Sequence, residues 1–389
     1  MLDAYIYDGL RSPFGRSGGA LSGIRPDDLL AEVIRPLMDR STLDGSAIDD
    51  VIIGCANQAG EDSRCVARHA ALRAGLPVEV PGTVLQRNCG SGLGAMISAA
   101  HALTSGEAEV LISGGVESMS RSPFVMGKHA RPFARKLDWY DSAVGARFPN
   151  PQLEKEFGND SMPQTADNLA KEHGISREES DAFALRSQQG WARAQENGLF
   201  AQEITPITVS GGRGRDDITV EKDEHPRPKT SLDELAKLRP LGADGVTTAA
   251  SASGLNDGAV ALMMGSRAAG DRIGRDPIAR ILASGVAGVP PRVMGYGPVP
   301  ASELALKRAG LSLADMSVIE INEAFAAQVL ACMKGLGIPE GDDRVNPNGG
   351  AIALGHPLGC SGARIATTLL YEMRRRGARR AARRVGARF

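Results

Sequence analysis

Two glycine-rich turns constrain this chain more than any other feature. The first runs Gln86-Arg87-Asn88-Cys89-Gly90-Ser91-Gly92-Leu93; the second runs Gly355-His356-Pro357-Leu358-Gly359-Cys360-Ser361-Gly362. Small and apolar residues with helical spacing follow each one, so each reads as a turn at the mouth of a helix. A thiol at a helix N-terminus faces unsatisfied N–H groups and the positive end of the helix dipole, which favours the nucleophilic thiolate. A histidine in the matching turn can supply the base. Cys89 and His356 therefore predict a cysteine-nucleophile enzyme.

The 389 residues allow two or three packed units. Aromatics make up only 4% against 47 glycines, which favours an α/β protein with tight helix–sheet packing. Apolar stretches are short and interrupted, and Ala4-Tyr5-Ile6-Tyr7 reads directly as a strand with no basic, apolar leader before it. No membrane partner and no secretory leader are expected. Cys55, Cys65, Cys89, Cys332 and Cys360 are odd in number and scattered, with neither a disulfide framework nor zinc spacing. The expected compartment is the cytoplasm. The net charge of −1 hides an Arg-rich run over residues 374–389 that contains no acid. Without an aromatic reading surface beside it, that run reads as a solvated tail, and no nucleic-acid partner is expected.

Residues 26–40 have helical spacing, Val51-Ile52-Ile53-Gly54 reads as a buried strand, and Val84-Leu85 leads into the Cys89 turn. Gly92 to Leu103 reads as a helix, and Val110 to Gly115 as a strand ending at its glycines. This alternation predicts a mostly parallel, covered sheet. The C-terminal part repeats the plan: Leu313 to Ile321 parallels residues 47–53, and Gly349 to Leu370 parallels Cys89 to Leu103. Two halves with one plan suggest a duplication. Between them, residues 119–245 are rich in Pro, Arg, Asp and Gly, with a helix over Gly174 to Asn197 capped by Ser176 and Glu179, and an exposed loop at Gly211 to Asp217. The expected organisation is an N-terminal half over 1–118 and 246–266, an inserted loop subdomain over 119–245, and a C-terminal half over 267–389 with an atypical tail from about 380.

Further motifs accompany the two turns: Arg11 to Arg16, Gly114-Gly115-Val116-Glu117-Ser118-Met119, Ser253 to Ala259, Met294 to Pro300, and Asn322-Glu323-Ala324-Phe325-Ala326. Together and in this order they resemble the thiolase family over nearly the whole chain. Gly54 to Asp62 and Asp160 to Ala166 resemble the 3-oxoadipyl-CoA thiolases of aromatic-compound catabolism in particular. The resemblance implies a thiolase-like α/β fold, with duplicated halves in five αβαβα layers. It implies thiolytic cleavage of 3-oxoadipyl-CoA to succinyl-CoA and acetyl-CoA through an acyl-cysteine. CoA and 3-ketoacyl-CoA would be substrates, there would be no metal or other cofactor, and the assembly would be a homodimer or homotetramer. By the same resemblance Cys89 is the nucleophile, His356 the base, and Asn322 the holder of an oxyanion-site water. Ser253 and Arg227 would contact CoA, and Met162 would line the acyl pocket. Read from the residues alone, Asn322 also suits a cap for a helix starting near Glu323. Ser253 also suits a turn, Arg227 an exposed surface site, and Cys360 packing.

The chain departs from the family pattern in three places. Ala250-Ser251 stands where Gly-Asn is usual, and Leu241-Gly242 where a Phe is usual. Thiolases carry a second catalytic Cys in a Cys-x-Gly-x-Gly-x-Gly turn near their end, followed by an apolar strand; here an abrupt Arg-rich run occupies that stretch and no Cys follows Cys360. A shifted reading frame would produce such a change. The expected consequences are an uncovered sheet edge and weakened carbon–carbon chemistry. Two alternatives stay open: a general acetyl-CoA acetyltransferase, and an impaired homologue that binds CoA thioesters without the second cysteine.

Overall fold

The computed structural model describes all residues except Ala130, Ala134, Lys136, Arg213, 378–380 and 385–389; for 381–384 it describes the backbone. The first half is built from β1 (Ala4–Arg11), α1 (Pro26–Asp39), β2 (Asp50–Gly54), α2 (Val66–Arg73), β3 (Gly82–Leu85), α3 (Ser91–Ser105) and β4 (Val110–Ser118). The middle contributes α4 (Met162–His173) and α5 (Arg177–Glu196). Then follow β5 (Asn256–Gly265), β6 (Ala279–Ile281), β7 (Val318–Ile321), α6 (Ala326–Gly335), α7 (Leu358–Arg376) and β8 (Ala381–Arg384).

The first sheet has the order β6-β1-β5-β4-β2-β3, with Gly15–Arg16 pairing beside β5. It is mixed, which corrects the mostly parallel sheet expected from the alternation of elements. β2 pairs in parallel with β3 and β4, whereas β5 runs antiparallel to both β4 and β1, and β6 runs antiparallel to β1. The reason is connectivity. β5 returns after the long inserted segment, so no short right-handed crossover fixes its direction.

Alternation decides which layer each side chain enters. Val51, Ile53, Ala259, Ala261 and Met263 face the core under α1 and α2, whose Leu30, Val33, Ile34, Val66 and Ala70 fill it. Ile52, Val260, Leu262 and Met264 face the opposite way, against Ala95, Ala99, Ala363 and Ala366 of α3 and α7. On the far side of α7 lies β7, and Ile319 and Ile321 pack with Ala327, Leu330 and Met333 of α6 and with Leu169 of α4. The layers are therefore α1/α2, first sheet, α3/α7, β7/β8, and outer helices. The two halves also share a local device: a capped 3-10 turn precedes the strand both at Gly45–Ala47 and at Leu313–Asp315.

β4 does not stop at Gly114-Gly115 but continues to Ser118. These glycines provide clearance rather than a turn. A Cβ on Gly114 would lie 1.9 Å from Val260 O, and one on Gly115 would lie 2.2 Å from Gly359 O. The helix over Arg177–Glu196 carries the capping box of Ser176 and Glu179 read from the sequence. The inserted stretch is anchored to β1 by Arg11, whose buried guanidinium pairs with Glu203 at 2.6 Å and with Asp223 at 2.7 Å.

The edge of β7 is not bare, contrary to the expectation from the Arg-rich tail. The β8 backbone pairs with it in parallel from Val318↔Ala381 to Ile321↔Arg384. Ladder bonds use only N–H and C=O groups, so pairing does not require the apolar side chains missing here. The remaining tail positions, 378–380 and 385–389, lie outside the described residues. Among the described residues no helix is long and apolar enough to cross a membrane.

If Gly115 is clearance for α7, Gly115→Ala should cost about 1–3 kcal/mol through overpacking against backbone. The readout is a lower melting temperature; an unchanged melt would show that the contact can relax.

Candidate active site

The first half brings Cys89 to the surface of the α3/α7 layer. Strand β3 ends at Leu85, and the chain turns through Asn88 in the left-handed region at φ 45° before α3 starts at Ser91. The turn is tied tightly: Ser91 Oγ donates to Asn88 O at 2.6 Å and accepts from Arg87 N at 2.8 Å. Cys89 thus stands two residues before the first residue of α3, half-buried, at the positive end of the helix dipole. This is the position read from the sequence.

The second half brings in His356 the same way. A short helical turn, Ala351–Leu354, precedes Gly355, whose φ of 103° only glycine adopts freely, and α7 begins at Leu358. His356 is 4% exposed, so its hydrogen bonds decide its chemistry. Its Nδ1 lies 2.6 Å from Ser361 Oγ, and that hydroxyl donates its single proton to Pro357 O at 2.9 Å. With that proton on Pro357 O, Ser361 accepts from Nδ1–H, an arrangement that puts the lone pair on Nε2. Nε2 stands 3.4 Å from Asn322 Nδ2. This is the tautomer a general base needs.

Asn322 follows β7 directly and is 4% exposed. The helix it was alternatively expected to cap begins only at Ala326, with Phe325 at the cap position, so Asn322 is not a cap. Its Oδ1 is buried with no hydrogen-bond partner among the described residues, which keeps an acceptor for a water or substrate group.

The other predicted residues line the approach. Ser253 N–H donates to Ala324 O at 2.9 Å, and Leu255 forms a bridge with His356, so the 253–255 segment joins the Asn322 segment to the His356 turn. Met162 packs beside Phe325, Ala166 and Ala252. Arg227 is exposed at the far end, where it lines a cavity of about 230 Å³ with His225, Leu235, Leu238, Ala250 and Ala252. Ala250-Ser251, unusual for the family, still forms an ordered turn, with Thr248 N donating to Ser251 Oγ at 2.8 Å. Leu241 is half exposed and does not line this cavity.

Sequence reasoning missed three supports. Asn256 Oδ1 accepts from His356 N at 2.9 Å while its Nδ2 donates to Gly15 O at 2.9 Å. Ser361 sets the His356 tautomer. His225 lies in the cavity wall, and burial with Arg227 and Arg16 nearby pushes its pKa down to about 4, so it is neutral at physiological pH. Buried polar residues within otherwise apolar or glycine-rich runs were the available signal for the first two. Cys360 is fully buried with Phe14, Ala95 and Met96, and burial pushes its thiol pKa up. The packing reading holds for it.

Comparison with known proteins agrees with this geometry. Residues 4–268 match the family model "Thiolase, N-terminal domain", and residues 275–386 match "Thiolase, C-terminal domain". The chain belongs to the thiolase family. It is 54% identical over 382 residues to a beta-ketoadipyl-CoA thiolase of Escherichia coli, covering 97% of this chain and 95% of that protein. A beta-ketoadipyl-CoA thiolase of Pseudomonas aeruginosa is 52% identical over 380 residues, covering 97% and 94%. Among solved structures, human mitochondrial 3-ketoacyl-CoA thiolase in complex with CoA superposes with a TM-score of 0.88 at 40% identity, covering 97% of this chain and 92% of that one. As a thiolase, the chain is an acyltransferase with the expected five-layer fold.

Ser361→Ala should leave His356 Nδ1 without its acceptor and let the tautomer drift. A lost hydrogen bond of about 1.4 kcal/mol predicts roughly a tenfold fall in kcat. Steady-state kinetics would check this; an unchanged kcat would mean that another group fixes the ring.

Proposed function

We propose that this thiolase cleaves 3-oxoadipyl-CoA with CoA, giving succinyl-CoA and acetyl-CoA through an acyl-cysteine at Cys89. The observation that carries the reading is the buried His356 ring, held at Nδ1 by Ser361 and facing Asn322 with Nε2 beside the mouths of α3 and α7. The substrate class is supported by the beta-ketoadipyl-CoA thiolases named above and by the CoA-bound human relative.

In this mechanism His356 takes the proton from Cys89 Sγ, and the thiolate attacks the 3-keto carbon. The C2–C3 bond breaks, and acetyl-CoA leaves as its enolate, whose C2 takes the proton that His356 holds. A succinyl thioester remains on Cys89. CoA then enters, gives its thiol proton to His356, and attacks the thioester; succinyl-CoA leaves, and the expelled Cys89 thiolate takes that proton from His356. Covalent catalysis divides one difficult acyl transfer into two easier ones. Asn322 orients a water toward the thioester oxygen, and donors preorganised in this way are worth several kcal/mol. The thioester already activates the acyl group, so the chemistry needs no metal or resident cofactor; CoA acts as a substrate. Ser253 and Arg227 mark the path of the CoA arm, and Met162 borders the acyl chain.

Two measurements test the proposal. Cys89→Ser should lose the acyl adduct seen by intact mass spectrometry, because a serine hydroxyl stays protonated without a stronger base. An adduct that persists would remove Cys89 from the mechanism. CoA-dependent cleavage should be faster for 3-oxoadipyl-CoA than for acetoacetyl-CoA; the reverse order would make the chain a general acetyl-CoA acetyltransferase.

The thiol nearest His356 in sequence, Cys360, is fully buried in the core, which supports a packing role rather than proton transfer. Cys360→Ala should therefore keep its thiolysis rate, and a collapse of that rate in a folded variant would make Cys360 a proton donor.

A further inference from the structure

Glu117 lies in the middle of the protein and contributes nothing to the steps above. It is a fully buried carboxylate near the end of β4, a strand otherwise made of apolar and small residues. Its Oε2 accepts from Gly359 N at 2.8 Å and from Ala56 N at 2.9 Å, and its Oε1 accepts from Asn57 N at 3.1 Å. Ala56 and Asn57 follow β2 in the first half, while Gly359 is the second residue of α7 in the second half. One carboxylate therefore ties together three backbone groups from both halves.

The neighbouring acid does not turn this into a metal site. Asp62 and the Cys55 thiol come close enough to Glu117 to form a ligand-like group. But Asp62 Oδ1 accepts from Gly60 N at 2.9 Å and its Oδ2 accepts from Gln58 N at 3.1 Å. Each carboxylate oxygen of the pair already accepts a backbone N–H, so the cluster is a backbone clamp. The Cys55 thiol lies 3.7 Å from Asp62 and 3.8 Å from Glu117. Burial and these two carboxylates push its pKa up, so it remains a proton donor between them.

We propose that Glu117 is a positioning residue for His356, holding the start of α7 so that the imidazole meets Cys89. Two adjacent strands divide the task. Asn256 on β5 takes the His356 N–H, and Glu117 on β4, whose register partner on β5 is Gly258, takes the Gly359 N–H three residues later. The histidine turn is thus gripped at both ends by the sheet of the nucleophile's half. A carboxylate also suits this place electrostatically, at the positive end of a 19-residue helix. Burial and the nearby Asp62 raise the Glu117 pKa to about 7, although the backbone N–H groups oppose this.

The proposal rests on Cys89 and His356 acting as nucleophile and base. Glu117→Gln keeps the shape but turns an NH2 group toward the amides. Kinetics and the pH profile of Cys89 alkylation by iodoacetamide, followed by intact mass, are the readouts. The expected result is a fall in kcat of about 10²-fold, as for a misplacement near 1 Å, with KM for CoA nearly unchanged. The alkylation profile should also move to higher pH. If Glu117→Gln melts earlier but keeps the wild-type kcat and profile, Glu117 is only structural and the proposal fails. If the wild type shows no fast alkylation at Cys89, the Cys–His reading fails instead. Should the variant not fold, hydrogen exchange in the wild type decides. The Gly359 amide must exchange as slowly as the interior of α7, and exchange at loop rates overturns the proposal.

Discussion

The fold depends on a contact in which side chains are nearly absent. At the centre of the molecule the first turns of α3 and α7 meet each other and the sheet through glycine. A Cβ on Gly92 would fall 2.7 Å from Gly359 O, one on Gly362 would fall 2.5 Å from Leu93 N, and one on Gly359 would fall 2.7 Å from Cys55 Cα. A Cβ on Gly54 would likewise fall 2.3 Å from Gly92 N. Close-packed interiors do not yield to an added methylene without strain. The two helix mouths can therefore share one site only if all of these positions stay glycine. That closeness sets the Cys89 turn of one half beside the His356 turn of the other.

Polar groups buried around this contact make it specific. Glu117 and Asn256 bind the histidine turn to the first sheet, and Ser361 selects the proton position on the ring. An unpaired buried polar group is costly, so each of these side chains fixes its neighbours as much as it is fixed by them. The Arg364–Glu320 pair between α7 and β7 is looser, at 3.8 Å, and desolvation raises the Glu320 pKa to about 8.

Much of this was legible in the sequence wherever the signal was local. The α1 helix, β2, the Cys89 turn, α3 and the Ser176 cap each depend on residues within a few positions of one another, and they stand where periodicity and capping rules put them. The antiparallel entry of β5 was not legible, because strand direction after a long connection has no local signature. The twin glycines of β4 looked like a strand end because a glycine gives no hint of whether it serves a turn or a neighbour's backbone. The roles of Asn256 and Glu117 were hidden for a related reason: each acts on a turn far along the chain, and only the fold brings them together.

The Arg11 anchor has a consequence for the exposed run around Gly214 to Asp217. A protease that cuts there leaves Glu203 on one fragment and Asp223 on the other, and both remain bound to the same buried guanidinium. Breaking such a pair inside a protein costs about 3–5 kcal/mol. A nicked molecule would therefore keep its two pieces together, with Arg227 and His225 still beside the groove they line, much as a clasp holds after its thread is cut.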